Sequence, residues 1–150
     1  MAVREERGMI DRDMVERKLK RIEEFLRELE QARIGTFEDF AGNVMLKRFA
    51  ERNIELAIEQ MMDICRHLVS ALDLKEPDSY AECFAIISLA GIVPAEHTAT
   101  FQAMTRYRNM LIHIYDGVDD TVTYGILNKR LGDFRLFVRL IRTYIGEKQG

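Results

Sequence analysis

The sequence predicts an all-α protein, an up-and-down bundle of four main helices plus one short helix. Three observations predict it. Apolar residues return at three- and four-residue steps along most of the chain. No segment alternates with the two-residue period of a half-buried strand. No internal repeat or low-complexity linker divides the 150 residues, which include only 2 prolines. A chain of this length buries roughly two thirds of the surface it would expose unfolded, enough for one core, so residues 1–150 read as a single domain.

The first helix is expected from about Met9 to Arg33, where Val15, Leu19, Ile22, Leu26 and Leu29 form an apolar seam between Glu and Arg residues. It should stop near Ile34-Gly35, with Thr36 and Asp39 marking the next start. A second, long helix follows from about Asp39 to Leu72, with Gly42-Asn43 as a point where its first turns separate from the rest. Its seam is Ile54, Ile58, Met61, Cys65, Leu68 and Leu72. Ser79 and Glu82 form a capping box for a short third helix that ends at Gly91. Pro94 fits the first turn of a fourth helix, which runs to about Tyr115 and ends at Asp116-Gly117. Asp119 or Asp120 caps a fifth, whose seam is Leu127, Leu131, Phe134, Val138, Ile141 and Ile145.

Composition narrows the classes of function. With 47% hydrophobic and 31% charged residues, the chain resembles helical globular proteins rather than disordered or disulfide-stapled ones. Cys65 and Cys83 lie in apolar helical patterns without CxxC spacing and read as buried free thiols of a reducing compartment. The N-terminal MAVREERGMIDRDM has no apolar segment of a signal peptide, and no stretch approaches about 18 uninterrupted apolar residues, so a cytoplasmic protein is expected. A net charge of −3 argues against a surface that is cationic throughout, and any RNA contact must use a local patch. Lys129, Arg130, Arg135, Arg139 and Arg142 are one candidate, although a solvated helix face is the favoured reading of those residues alone. No Glu-x-x-His pair occurs, and His67, His97 and His113 share no ligand spacing, so no metal site is expected.

One segment asks for more. RNMLIHIY, residues 108–115, carries Arg108, Asn109, His113 and Tyr115 within two turns of an apolar helix. On a helical wheel Ala103, Tyr107, Met110, Leu111 and Ile114 fall in the half suited to a core. The polar residues line the other face, with Ile112 between Arg108 and His113. Their spread of about 160° is too wide for one isolated helix to wrap around a small ligand. An apolar residue ringed by polar ones is the pattern of a symmetric helix-to-helix contact, which predicts a homodimer through this helix. Histidine accepts and donates protons near neutral pH, and arginine presents a planar fork to phosphate, a pair suited to cleaving RNA through its 2′-hydroxyl.

The pattern R-x4-H-x-Y, here Arg108, His113 and Tyr115, resembles the signature of HEPN-superfamily ribonucleases, above all the HepT-like toxins of prokaryotic MNT-HEPN toxin–antitoxin modules. Other blocks agree in order: ERNIELAIEQMMDICRHLVS at 51–70, EPDSYAECFAII at 76–87, GIVP at 91–94 and LNKRLGDFRLF at 127–137. The resemblance implies a type II-like toxin acting as a metal-independent endoribonuclease at a composite cleft between two copies, leaving a 2′,3′-cyclic phosphate. It implies Arg108 on the scissile phosphate, His113 in proton transfer, and Asn109 positioning substrate or histidine. It implies as partner a cognate minimal nucleotidyltransferase antitoxin that transfers AMP from ATP onto Tyr115. The chain itself has no phosphate loop, so no cofactor is expected and ATP belongs to the partner.

Two other readings stand beside this one: a noncatalytic helical dimer that binds the nucleotidyltransferase, and an RNA-binding module without cleavage. Asp63 and His67, four residues apart, are expected to form a local pair on one helix face or to support the cleft. Asn53 and Glu55 fall in a matching block without an assigned role.

Overall fold

A computed structural model describes residues 9–114 and 117–149. Among the described residues every regular element is helical: α1 Arg12–Gln31, α2 Phe37–Ala41, α3 Val44–Ala71, α4 Tyr80–Leu89, a 3₁₀ turn Ala95–His97, α5 Thr98–His113, α6 Asp120–Lys129 and α7 Leu131–Gln149. No helix among these residues is long and apolar enough to cross a membrane.

The boundaries follow local chemistry. Asp11 caps α1 by accepting the Met14 N–H, and the helix ends at Gln31, short of the expected Ile34-Gly35. The intervening turn needs Gly35 at φ +67, because a Cβ there would meet the Asp39 carboxylate at 2.7 Å. Thr36 and Asp39 form the reciprocal capping box of α2. The expected second helix is in fact divided at Gly42-Asn43: the Asn43 side chain accepts the Leu46 N–H and restarts the chain as α3.

Ser79 accepts the Glu82 N–H as predicted, but Glu82 returns to the Asp78 N–H, so the expected capping box is only half formed. Gly91, at φ +81, closes α4 with Ile92 N–H reaching back to the Ile87 carbonyl. Pro94 precedes a 3₁₀ turn rather than opening the α-helix directly. The single fifth helix is corrected to two. The chain breaks at Arg130, and the seam conceals this because Leu127, Leu131 and Phe134 keep helical spacing across the break.

Helix α1 lies antiparallel to both α3 and α7. Asp11, Lys18 and Asn53 fix the first pairing: the Asp11 N–H donates to His67 Nε2 at 2.8 Å, Lys18 Nζ meets Asp63 at 3.0 Å, and buried Asn53 donates to Glu28 at 2.8 Å. Arg142 fixes the second. Its guanidinium grips Glu23 through two contacts of 2.8 Å and also reaches Glu16 at 2.7 Å, while Arg135 pairs with Glu30. Two arginines of the C-terminal basic cluster, Arg135 and Arg142, are therefore neutralised by α1, and Arg130 pairs with Asp133 in α7.

The seams predicted for α1 and α3 form the core, with Phe84, Phe101 and Phe137 at their centre, all fully buried. Phe101 contacts both other rings, at centroid distances of 5.9 and 5.4 Å. It thereby anchors the first half of α5 between α4 and α7. Cys65 and Cys83 are free thiols, both without solvent exposure, their sulfurs facing each other at 2.7 Å.

Candidate active site

Helix α5 changes character along its length. Phe101, Met104, Thr105 and Tyr107 are buried, whereas Asn109, Ile112 and His113 are exposed and Met110 and Leu111 only half-buried. The body of the protein thus holds the first half of the helix and offers the second to solvent. Two members of the expected core set are corrected: Ala103, on the wall of an open apolar cleft between α3, α5 and α6, and Ile114, just past the end of α5, are exposed.

Arg108 stands where the two regimes meet. Instead of lying on the outer face, its side chain turns against α3 and is 22% exposed. Nη2 donates to Glu59 Oε1 and Nη1 to Asn109 Oδ1, both at the long distance of 3.5 Å. Nε is buried and, among the described residues, has no hydrogen-bond partner. The guanidinium is therefore held in place by weak contacts, with donor capacity in reserve.

His113 closes the helix in solvent, more than one turn beyond Arg108. The structure brings Arg108 and Asn109 together but does not bring His113 into contact with either within one chain. Tyr115 lies outside the described residues. Tyr107, on the same helix, is buried and bonded to Thr123 at 2.7 Å; burial pushes its hydroxyl up to about 12.

Asp63 and His67 do not pair: α1 separates them by binding each, Asp63 through Lys18 and His67 through the Asp11 amide. Burial holds the His67 imidazole below its ordinary value, as an acceptor nitrogen requires. Asn53 joins α3 to α1, and Glu55 pairs with Arg52; neither meets the signature.

Sequence reasoning missed Glu59, Arg66 and Tyr80. Glu59 looks like any solvent-facing glutamate of α3 until α5 packs beside it. Arg66 and Tyr80 meet at 3.1 Å, guanidinium to hydroxyl, on the wall of a cleft of about 650 Å³ that Asn109 also lines.

Comparison with known proteins accords with this architecture. Residues 9–141 match the model of a family described as ribonuclease HepT-like. The chain is 26% identical over 134 residues to the tRNA nuclease HepT of Aphanizomenon flos-aquae, covering 88% of this chain and 90% of that protein. It is 20% identical over 130 residues to the mRNA nuclease HepT of Shewanella oneidensis, covering 87% and 97%. A solved structure of the tri-AMPylated Shewanella oneidensis HEPN toxin in complex with MNT antitoxin superposes with a TM-score of 0.81 at 20% identity, over 87% of this chain and 98% of that one. That last likeness concerns the fold.

Proposed function

The chain belongs to the HepT-like ribonuclease family, and on that premise we propose that it is an endoribonuclease, the toxin of a toxin–antitoxin module, acting as a homodimer. The observation that carries this reading is the exposed second half of α5, which presents Asn109, Ile112 and His113 to solvent, Ile112 by 37%, with Arg108 at its inner edge. One protomer leaves His113 apart from Arg108; a second copy set against Ile112 supplies the missing proximity.

In this reading the Arg108 fork binds the non-bridging oxygens of the scissile phosphate. A His113 imidazole takes the proton of the 2′-hydroxyl, and the 2′-oxygen bonds to phosphorus. The bond to the 5′-oxygen breaks and that oxygen takes up a proton, which leaves a 2′,3′-cyclic phosphate. The dimer offers two imidazoles for the two proton transfers, and no step asks for a metal. Proton transfer by a placed histidine contributes roughly 10²- to 10⁴-fold. Asn109 positions substrate or imidazole beside Arg108.

The cognate partner is a minimal nucleotidyltransferase that places AMP on Tyr115, two residues past His113. Added nucleotide phosphates there repel RNA by charge and bulk.

The test is cleavage of total RNA in EDTA by wild type, His113→Ala and Arg108→Ala, all purified to the same oligomeric state. The wild type is expected to cut and both variants to lose at least about 10²-fold. Equal activity in all three rejects the assignment. Intact mass after co-expression with the nucleotidyltransferase should rise in AMP increments, and Tyr115→Phe should abolish the rise.

A further inference from the structure

The cleft beside Asn109 has no part in the chemistry described above, yet it adjoins it. Its floor and rim come from the end of α3, the connector to α4 and the first residue of α4. Arg66 lies over the Tyr80 ring, 5.8 Å from its centroid, and donates to its hydroxyl. Among the described residues no carboxylate comes within ion-pair distance of Arg66, and its charge is almost wholly in solvent. Asp73, Glu76 and Asp78 face the same cleft, and among the described residues none of them forms an ion pair. Asp73 holds its place at φ 55, closing α3 with Leu74 N–H bonded to the Val69 carbonyl.

We propose that this cleft is a base-specificity subsite, taking the guanine of a nucleotide next to the scissile phosphate. The proposal rests on the nuclease reading and deepens it. Arg108 Nη1 stands 3.5 Å from Asn109 Oδ1, and Asn109 lines the cleft, so the phosphate site and the mouth of the cleft lie within one nucleotide of each other. Single-stranded RNA is read by unstacked bases laid on aromatic rings or guanidinium planes and bonded along their edges. Arg66, held on the Tyr80 ring, provides a donor fork for such an edge.

The charge pattern selects the base and not the backbone. Three carboxylates against one guanidinium exclude a phosphate from the cleft and leave it to Arg108. Guanine presents two adjacent N–H groups, at N1 and N2, to a carboxylate, and two acceptors, O6 and N7, to an arginine. Uracil presents a single N–H between two carbonyls that the carboxylates repel. Adenine and cytosine offer one amino group each and lie between these extremes.

The experiment uses His113→Ala protein, so that binding is read apart from cleavage, and fluorescent RNA pentamers with G, A, C or U on either side of one chosen internal linkage. The expected result is about tenfold tighter binding of the G pentamer than the U pentamer, the discrimination of one bidentate contact. Arg66→Ala and Asp78→Asn should each erase the preference, chiefly by weakening the G pentamer. Equal binding of all four pentamers overturns the proposal, as does an Arg66→Ala loss shared equally by all of them. Arg66→Ala weakening only the complex with the nucleotidyltransferase overturns it too, since the cleft then serves the partner. A parallel cleavage assay with wild type reports on the nuclease reading by itself: no cleavage with G-selective binding retires that reading and leaves the subsite standing.

Discussion

Glu59 offers the sharpest test of how α3 serves the site on α5. Two unit charges at the observed 3.5 Å attract by about 5 kcal/mol at an effective dielectric of about 20. The arginine is 22% and the glutamate 30% exposed, so desolvation and side-chain ordering offset most of that attraction. A net contribution of about 1 kcal/mol remains. In Glu59→Ala the guanidinium loses its one carboxylate, and its buried Nε still has no acceptor among the described residues, so the side chain favours solvent over its seat against α3.

A loss of about 1 kcal/mol in positioning lowers kcat by about fivefold, with KM little changed because Arg108 retains its charge. Glu59→Gln keeps an acceptor oxygen of the same reach and should stay within about twofold of wild type in kcat. The assay is steady-state cleavage of a fluorogenic RNA in EDTA, with circular dichroism melting to confirm folding. Glu59→Ala equal to wild type would refute the positioning argument. So would Glu59→Gln as slow as Glu59→Ala, since shape and hydrogen bonding would then count for nothing.

Other outcomes follow from the packing. Phe101→Ala removes a fully buried ring that contacts Phe84 and Phe137, and should destabilise the fold by about 4 kcal/mol, read as a melting temperature roughly 10 °C lower. For His67, whose folded value lies below its unfolded one, the contact with the Asp11 amide stabilises fully above about pH 6.5 and is lost as pH falls through the folded value. Melting between about pH 7 and pH 5 should therefore drop more steeply in wild type than in His67→Gln, and parallel curves would contradict the assignment. Burial raises the Cys65 thiol far above its ordinary value, so iodoacetamide labelling should track unfolding and be negligible in the native protein.

The fold was legible where local chemistry decides it. The seams of α1 and α3 end in the core, and Thr36 and Ser79 act as the caps their positions announce. The break at Arg130 was not legible, because the apolar spacing runs through it in phase and the chain changes direction without any Gly or Pro at the turn itself. The pairing of Asp63 with His67 failed for a related reason. Four-residue spacing puts two side chains on one face, but Lys18 and the Asp11 amide compete for them from 45 and 56 residues away. In the site, Arg108, Asn109 and His113 announce themselves by spacing. Glu59 and Arg66 do not: charged residues recur along α3 at Glu55, Glu59, Asp63 and Arg66, and only the packing of α4 and α5 distinguishes two of them.

Two arginines of this chain differ sharply in how fully their guanidinium groups are engaged. Arg142 is satisfied on every side: both carboxylate oxygens of Glu23 at 2.8 Å, Glu16 against Nε and Nη2, and a guanidinium held more firmly in its charged form as a result. That arrangement locks α7 to α1, and an incoming anion would have to break a bidentate pair to use it. Arg108 is less exposed than Arg142, 22% against 35%, and should by burial alone need its partners more. It has two contacts at 3.5 Å, and its buried Nε has none among the described residues. A half-buried cation so lightly engaged is poor support for a fold. In the role proposed for it, Arg108 is a half-buried donor fork with capacity in reserve, more than one turn from the exposed His113 on the same helix, and this contrast is the physical basis of that role.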